Sequence, residues 1–223
     1  MNLREYPDPE MLAIDVANQL AGELAASLAV EERVLFVVPG GTTPGPIFDA
    51  LCETDLDWGR VDVMPSDERW VPEVHLRSNT RMIRERILVG RAAAARYLPL
   101  YARAERPEMV LAELESNIVP ALPIAVALLG MGTDMHVASI FPDADELELA
   151  LERDAPVLVP IRAKSQPDVR VTLSARVLCA AMRLHVVITG PAKRAALERA
   201  RNLTPLQAPV RAVLDEATVH WAE

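Results

Sequence analysis

The chain has 223 residues, of which 51% are hydrophobic and 4% aromatic, and this predicts one α/β domain (residues 1–223) with a largely aliphatic core. The formal net charge of −9 argues against nucleic acid as a partner, although a local basic pocket can still bind a small anion. Cys52 and Cys179 are isolated, and no Cys/His cluster is present, so we expect no metal site and a reducing compartment. No signal peptide or membrane-spanning run is recognisable, so we expect no membrane contact and a cytoplasmic location.

Predicted helices and strands alternate along the chain. Leu12, Val16 and Leu20 begin a series of apolar residues spaced by four, which predicts an amphipathic helix over residues 9–29. The apolar run VLFVV at residues 34–38 predicts a strand that is buried on both faces. Further strands are predicted at residues 61–64, 124–129, 157–161, 169–173, 184–189 and 218–221, and further helices at residues 44–51, 78–88, 108–118, 174–181 and 191–201.

The alternation of buried strands with helices predicts an open, largely parallel sheet. In sheets of this kind, ligands bind beyond the carboxyl ends of the strands. Four segments therefore become candidate sites, namely the loops that follow Val38, Met64, Leu129 and Thr189.

The first of these loops contains Gly40, Gly41, Thr42 and Thr43. Glycine lets the backbone approach a ligand closely, while threonine hydroxyls and the start of the following helix supply hydrogen-bond donors. This composition predicts a phosphate site, although it matches neither nucleotide-binding glycine motif. The alternative is a plain strand-to-helix turn that a threonine caps.

The second loop carries Asp67, Glu68 and Arg69, and Arg77 follows shortly afterwards. Carboxylates and a guanidinium at one strand end are suited to binding a sugar or to acid–base chemistry. The alternative is a solvated loop in which these charges pair with one another.

The third loop places Asp134 two residues before His136, after the most apolar strand. A carboxylate at this spacing can orient an imidazole and stabilise its charged form, which predicts a general base. None of the other three histidines has a comparable acidic neighbour at a strand end. The alternative is a histidine that caps a helix or is hydrogen-bonded within the core.

The fourth loop leads to Lys193, one of only two lysines in the chain. Its position in the first helical turn after a strand would let its ammonium group bind the same anion as the first loop. Arg170, in the predicted strand at residues 169–173, could add a fork-shaped donor. The alternative for Lys193 is a lysine on the surface of a helix.

Together these segments resemble the 6-phosphogluconolactonase family, which belongs with the glucosamine-6-phosphate deaminases. The matching motifs are GGTTP (40–44), DERWVP (67–72), SN (78–79), GMGTDMHVASIFP (130–142), RVT (170–172) and GPAK (190–193). The resemblance implies a Rossmann-like three-layer α/β sandwich with a largely parallel sheet, of the sugar-phosphate isomerase/deaminase type. It also implies hydrolysis of 6-phospho-D-glucono-1,5-lactone in the oxidative pentose phosphate pathway, with no cofactor, by a monomer or small homo-oligomer whose partner is the sugar phosphate.

The resemblance further implies roles for individual residues. His136 would activate water as a general base, Asp134 would orient it, and Arg69 with Asp67 would contact the lactone end. The rest of the substrate, above all its phosphate, would be held by Gly40, Gly41, Thr42, Thr43, Arg77, Arg170 and Lys193.

Two positions depart from the family pattern. Met135 stands where the family has a glycine, and Val137 stands where a threonine is common. Because a positive φ is costly for methionine, we expect the loop to adopt an ordinary backbone conformation at Met135.

Two other functions compete with lactone hydrolysis. An amino-sugar-phosphate isomerase/deaminase would share the phosphate loop and His136, but it needs a further carboxylate close after that histidine, and none occurs before Asp143. A non-catalytic sugar-phosphate sensor would keep the phosphate loop and Lys193, but it would not need His136 paired with Asp134.

Overall fold

A seven-stranded sheet, parallel throughout, forms the centre of the computed structural model, which describes residues 1–223. The two most apolar runs of the sequence become neighbouring strands in the middle of this sheet, where helices cover both faces. In sheet order the strands are β1 (Asn2–Tyr6), β10 (Thr218–Ala222), β9 (Arg183–Thr189), β6 (Ile124–Gly130), β2 (Val34–Val38), β3 (Val61–Pro65) and β5 (Arg96–Tyr97).

Helices lie on both faces of the sheet and complete three layers. Alternate residues of β2 point to opposite faces, so Phe36 packs with the first helices of the chain and Val37 packs with the later ones. One face carries α1 (Pro9–Leu28), α2 (Gly45–Leu51) and α3 (Asn79–Arg86); the other carries α4 (Leu111–Ile118), α5 (Leu147–Leu151), α6 (Ala175–Cys179), α7 (Pro191–Ala200) and α8 (Arg211–Leu214). The predicted Rossmann-like three-layer fold is therefore confirmed.

A second, antiparallel sheet contains β4 (Asp67–Arg69), β8 (Arg170–Leu173) and β7 (Leu158–Ile161). The alternating pattern predicts strands at the last two positions, but it predicts neither their separation from the main sheet nor the existence of β4. Apolar residues of β7 and β8 join the same core cluster as β6 and β9. That shared core supports the single domain expected for residues 1–223, which stays a prediction.

Local sequence signals account for the ends of several helices. The Asp8 side chain accepts a hydrogen bond from the Met11 amide at 2.8 Å and caps α1, and the Ser78 side chain caps α3. The predicted helix over residues 108–118 is shorter than expected, because Val110 leaves helical geometry at φ −133° and α4 begins after it. None of the helices combines the length and the apolarity that crossing a membrane requires.

Candidate active site

A polar cavity of about 280 Å³ opens at the carboxyl ends of the central strands, and all four loops selected from the sequence contribute to its wall. Only 3 of its 18 lining residues are hydrophobic, so the cavity suits a polar ligand. Arg69, Arg170 and Lys193 line it together with one carboxylate, that of Asp67. This local excess of positive charge favours an anion, although the whole chain has a net charge of −9.

The loop between β2 and α2 forms one side of the cavity with Gly40, Gly41, Thr42 and Thr43. Gly41 has φ +87°, a conformation that favours glycine, and a Cβ on Gly40 would lie 2.0 Å from the Asn79 side chain. The amides of Gly41, Thr42 and Thr43 donate to no other group of the chain. Backbone donors without partners beside a cation-lined cavity form an anion-binding arrangement.

The short strand β4 presents Asp67 and Arg69 on one face, because alternate residues of a strand point the same way. In the antiparallel register, Asp67 pairs with Thr172 and Arg69 pairs with Arg170. Arg69 Nη1 donates to Asn79 Oδ1 at 2.8 Å and to a backbone carbonyl at 2.8 Å. These bonds hold one end of the guanidinium and leave its other N–H groups free for a ligand.

Asp67 and Arg170 belong to a buried polar cluster beneath the cavity. The Asp67 carboxylate accepts hydrogen bonds from the hydroxyls of Ser66 at 2.8 Å and Ser139 at 2.6 Å, and it lies 3.8 Å from Arg170. Burial lowers the pKa of Arg170 from its usual value, and the Asp67 charge opposes this shift. The Arg170 Nε–H group is buried and has no hydrogen-bond partner.

His136 and Asp134 form a pair at the end of β6, with 2.5 Å between His136 Nδ1 and Asp134 Oδ1. Burial alone would raise the pKa of Asp134, but the hydrogen bond and the charge of His136 outweigh burial and hold that pKa below its ordinary value. The imidazole also packs on the Phe141 ring at a centroid distance of 4.3 Å. A Cβ on Gly132 would lie 2.3 Å from the imidazole, so only glycine fits beneath this pair.

Lys193 reaches the cavity from the first turn of α7, and its ammonium group forms neither an ion pair nor a hydrogen bond with the chain. Burial lowers the pKa of Lys193. Arg77, in contrast, does not line the cavity, because its side chain pairs with Asp168 at 2.7 Å. Its carbonyl group accepts the second hydrogen bond of Arg69 Nη1, so Arg77 supports the site from outside.

The family described as glucosamine-6-phosphate isomerases/6-phosphogluconolactonase matches residues 7–221. The chain belongs to this family. It is 40% identical over 214 residues to the 6-phosphogluconolactonase of Pseudomonas aeruginosa, an alignment that covers 92% of this chain and 88% of that protein. It is 38% identical to the 6-phosphogluconolactonase of Mesorhizobium japonicum, over 99% of this chain and 95% of that one. The crystal structure of a 6-phosphogluconolactonase from Shewanella baltica superposes with a TM-score of 0.96 at 28% identity, covering 100% of this chain and 98% of that chain.

The sequence predicted an ordinary backbone conformation for Met135, in the family motif at residues 130–142, and this prediction is wrong. Met135 adopts φ +68°, the left-handed conformation that a glycine would take without strain. Its amide donates to the Gly132 carbonyl at 3.0 Å, and its own carbonyl accepts from the Val210 amide at 3.0 Å. Because both ends of the residue are fixed in this way, the turn that carries His136 keeps its geometry despite the side chain.

Three polar or aromatic residues of the site did not appear among the predicted site residues. Asn79 lines the cavity and holds Arg69, Ser139 donates to Asp67, and Phe141 supports the His136 ring. Their signal was present in the SN and ASIFP segments of the family pattern, but their contacts join residues that are far apart in the chain.

Proposed function

We propose that the protein hydrolyses 6-phospho-D-glucono-1,5-lactone to 6-phosphogluconate, a step of the oxidative pentose phosphate pathway. The observation that carries the proposal is His136, which is hydrogen-bonded to Asp134 and lines a cavity together with three cationic side chains. Membership of the family and the names of the relatives support the same activity.

His136 is the general base in this proposal. An ionised carboxylate can only accept hydrogen bonds, so its contact with Asp134 places the proton of the neutral ring on Nδ1 and leaves Nε2 basic. Nε2 takes a proton from water while the water oxygen bonds to C1 of the lactone. The bond between C1 and the ring oxygen then breaks, and the imidazolium returns the proton to that oxygen.

Negative charge develops on the carbonyl oxygen during the attack. Arg69 is the candidate for stabilising this charge, because hydrogen bonds fix one of its nitrogens and leave the others available. Asp67 contributes by fixing the cluster that borders this end of the cavity. A lactone is an activated ester, so a base and one charge-stabilising group suffice for hydrolysis.

In this proposal the phosphate is bound by the free amides of residues 41–43, Arg170 and Lys193. The ammonium group of Lys193, which has no partner in the chain, would gain one. Anchoring a remote group in this way fixes C1 near His136 and converts binding energy into orientation.

The isomerase/deaminase alternative requires a carboxylate that acts on the sugar ring shortly after the histidine. The first carboxylate after His136 is Asp143, which accepts hydrogen bonds from Ser165 at 2.7 Å and 3.1 Å and does not line the cavity. This arrangement favours the lactonase over the deaminase.

The deciding experiment offers the purified protein each substrate separately. Proton release from freshly prepared 6-phosphogluconolactone should greatly exceed the spontaneous rate measured without protein, and glucosamine 6-phosphate should release no ammonia. Ammonia release at a rate comparable with lactone hydrolysis would establish the deaminase instead, while binding without either reaction would establish a sensor.

The same proposal covers the setting of the enzyme. Neither Cys52 nor Cys179 forms a disulfide, which agrees with a cytoplasmic location. We infer a monomer or small homo-oligomer that needs no cofactor and no nucleic-acid partner. Light scattering on the purified protein would determine the oligomeric state.

A further inference from the structure

Glu68 is a fully buried carboxylate directly beside the proposed site, with an exposed fraction of 0%. It points to the opposite face of β4 from Asp67 and Arg69 and does not line the cavity. No lysine, arginine or histidine forms an ion pair with it. A buried charge without a counter-ion is costly, so its surroundings must stabilise the charge in another way.

Five hydrogen bonds stabilise this carboxylate. Oε1 accepts from the amides of Arg69 and Asn79, both at 2.8 Å. Oε2 accepts from the Thr80 amide and hydroxyl, both at 2.7 Å, and from the Ser78 hydroxyl at 3.0 Å. Every partner is a donor, and two of the amides belong to the first turn of α3, where helices carry unpaired N–H groups and a partial positive charge.

These bonds connect the two residues that flank the lactone end of the cavity. Glu68 joins β4 to the start of α3, and on the cavity side the same two elements meet again through Arg69 Nη1 and Asn79 Oδ1 at 2.8 Å. Asn79 Nδ2 closes the ring by donating to the Asp67 carbonyl at 2.8 Å. The position of the Arg69 guanidinium therefore depends on the distance that Glu68 sets between β4 and α3.

We propose that Glu68 is a positioning residue for the hydrolysis: its charged carboxylate holds Arg69 and Asn79 where they meet the oxyanion that forms at C1. The inference rests on the proposed function. It assigns no contact with substrate to Glu68, which acts only through Arg69 and Asn79.

Charge, and not only shape, is required for this role. A glutamine has nearly the same shape, but its NH₂ group would face donors in place of one carboxylate oxygen. Either two or three of the five donors would then lose their acceptor, and α3 would shift away from β4. A displacement of about 1 Å at a catalytic group can cost about 10²-fold in rate.

The test compares Glu68→Gln with Glu85→Gln, a matched change on α3 whose carboxylate is 57% exposed and pairs only with Arg81. Glu68→Gln should lower kcat about tenfold or more. The constant for competitive inhibition by inorganic phosphate should change by no more than about twofold, because the groups proposed to bind phosphate lie on segments other than β4 and α3. Glu85→Gln should match the wild type in both measurements.

A double-mutant cycle separates positioning from general destabilisation. If Glu68 acts through Arg69, adding Glu68→Gln to Arg69→Ala should lower kcat by no more than about twofold further, whereas independent effects would multiply. Thr80→Val, which removes one donor and keeps the carboxylate, should lower kcat by a smaller factor and provides the test if Glu68→Gln does not fold.

The two proposals fail in different ways. A wild-type protein without lactonase activity would refute the proposed function. An active wild type with a folded Glu68→Gln variant at the same kcat, or with losses that multiply in the cycle, would refute the role of Glu68 alone.

Discussion

At the scale of single residues, the properties of His136 are set by separate neighbours. Asp134 decides which nitrogen carries the proton, Phe141 fixes the plane of the ring, and Gly132 leaves the space that the ring occupies. Replacing the imidazole removes the proposed base but none of the cationic side chains that are proposed to bind the phosphate. The base and the anion pocket should therefore respond differently to substitution.

We expect His136→Asn to lower kcat by about 10²-fold or more, the upper part of what general-base catalysis contributes, and to leave binding of 6-phosphogluconate largely unchanged. His75→Asn, in a loop outside the cavity, is the matched control. A folded His136→Asn enzyme with a near-normal rate would contradict the assignment.

Replacing Lys193 should change affinity more than rate, because Lys193 is proposed to bind the phosphate of the substrate. Lys193→Ala is expected to raise KM and to weaken competitive inhibition by inorganic phosphate, whereas Lys164→Ala, at the exposed second lysine, should change neither. Burial lowers the pKa of Lys193. Inhibition by phosphate should therefore weaken at a lower pH than it would if Lys193 had the ordinary pKa of a lysine. Equal inhibition constants for the two variants would remove Lys193 from the pocket.

At the scale of elements, the loop after β6 depends on a glycine for reasons of space. Gly132→Ala should lower kcat strongly, because its Cβ would lie 2.3 Å from the His136 ring and 2.4 Å from Asp134. Gly22→Ala is the matched control on the exposed face of α1, where no atom lies within 4 Å of the new Cβ. That change should leave kcat unaltered and stabilise the fold by up to about 1 kcal/mol in urea denaturation. Unchanged activity in Gly132→Ala would show that the His136 loop tolerates displacement.

The elements also show how far the sequence reveals the fold. The strands β2 and β6 were predictable because their apolar runs carry their own signal. The strand β4 was not, because three charged residues become a strand only by pairing with β8, about a hundred positions later in the chain. The candidate site followed from loop composition, whereas the roles of Glu68 and Asn79 depend on contacts between β4 and the start of α3. The conformation of Met135 likewise depends on a hydrogen bond from Val210.

At the scale of the whole molecule, a hydrogen-bonded chain of titratable groups joins both ends of the sequence to α1. Tyr6 of β1 contacts Asp15 at 2.7 Å and His220 at 2.8 Å; His220 contacts His185 of β9 at 3.0 Å, and His185 contacts Glu23 at 2.7 Å. Burial raises the pKa of Tyr6 to about 12, so its phenol stays protonated. Burial, followed by the charges of His185 and Arg4, lowers the pKa of His220 to about 4, although Asp15 and Glu23 oppose the shift.

This series of hydrogen-bonded groups predicts that the free energy of unfolding declines as the pH falls from about 6.5 to about 4. Between the ordinary value of 6.5 and the folded value of about 4, the unfolded chain binds a proton at His220 and the folded protein does not, so acid favours unfolding, by on the order of 3 kcal/mol at the lower end. Glu23 acts in the same direction below its ordinary range: burial would raise its pKa, but the hydrogen bond with His185 outweighs burial and lowers it.

His220→Gln should be less stable than the wild type at pH 7 because His185 and Tyr6 lose their partner, yet its stability should change less between pH 6.5 and 4. Urea denaturation at several pH values would measure both slopes, with His75→Gln as the matched control, and a single cooperative transition would agree with one domain. His220→Gln lacks the imidazole that binds a proton on unfolding between pH 6.5 and 4. If its free energy of unfolding nevertheless falls with pH as steeply as that of the wild type, other groups cause the acid sensitivity.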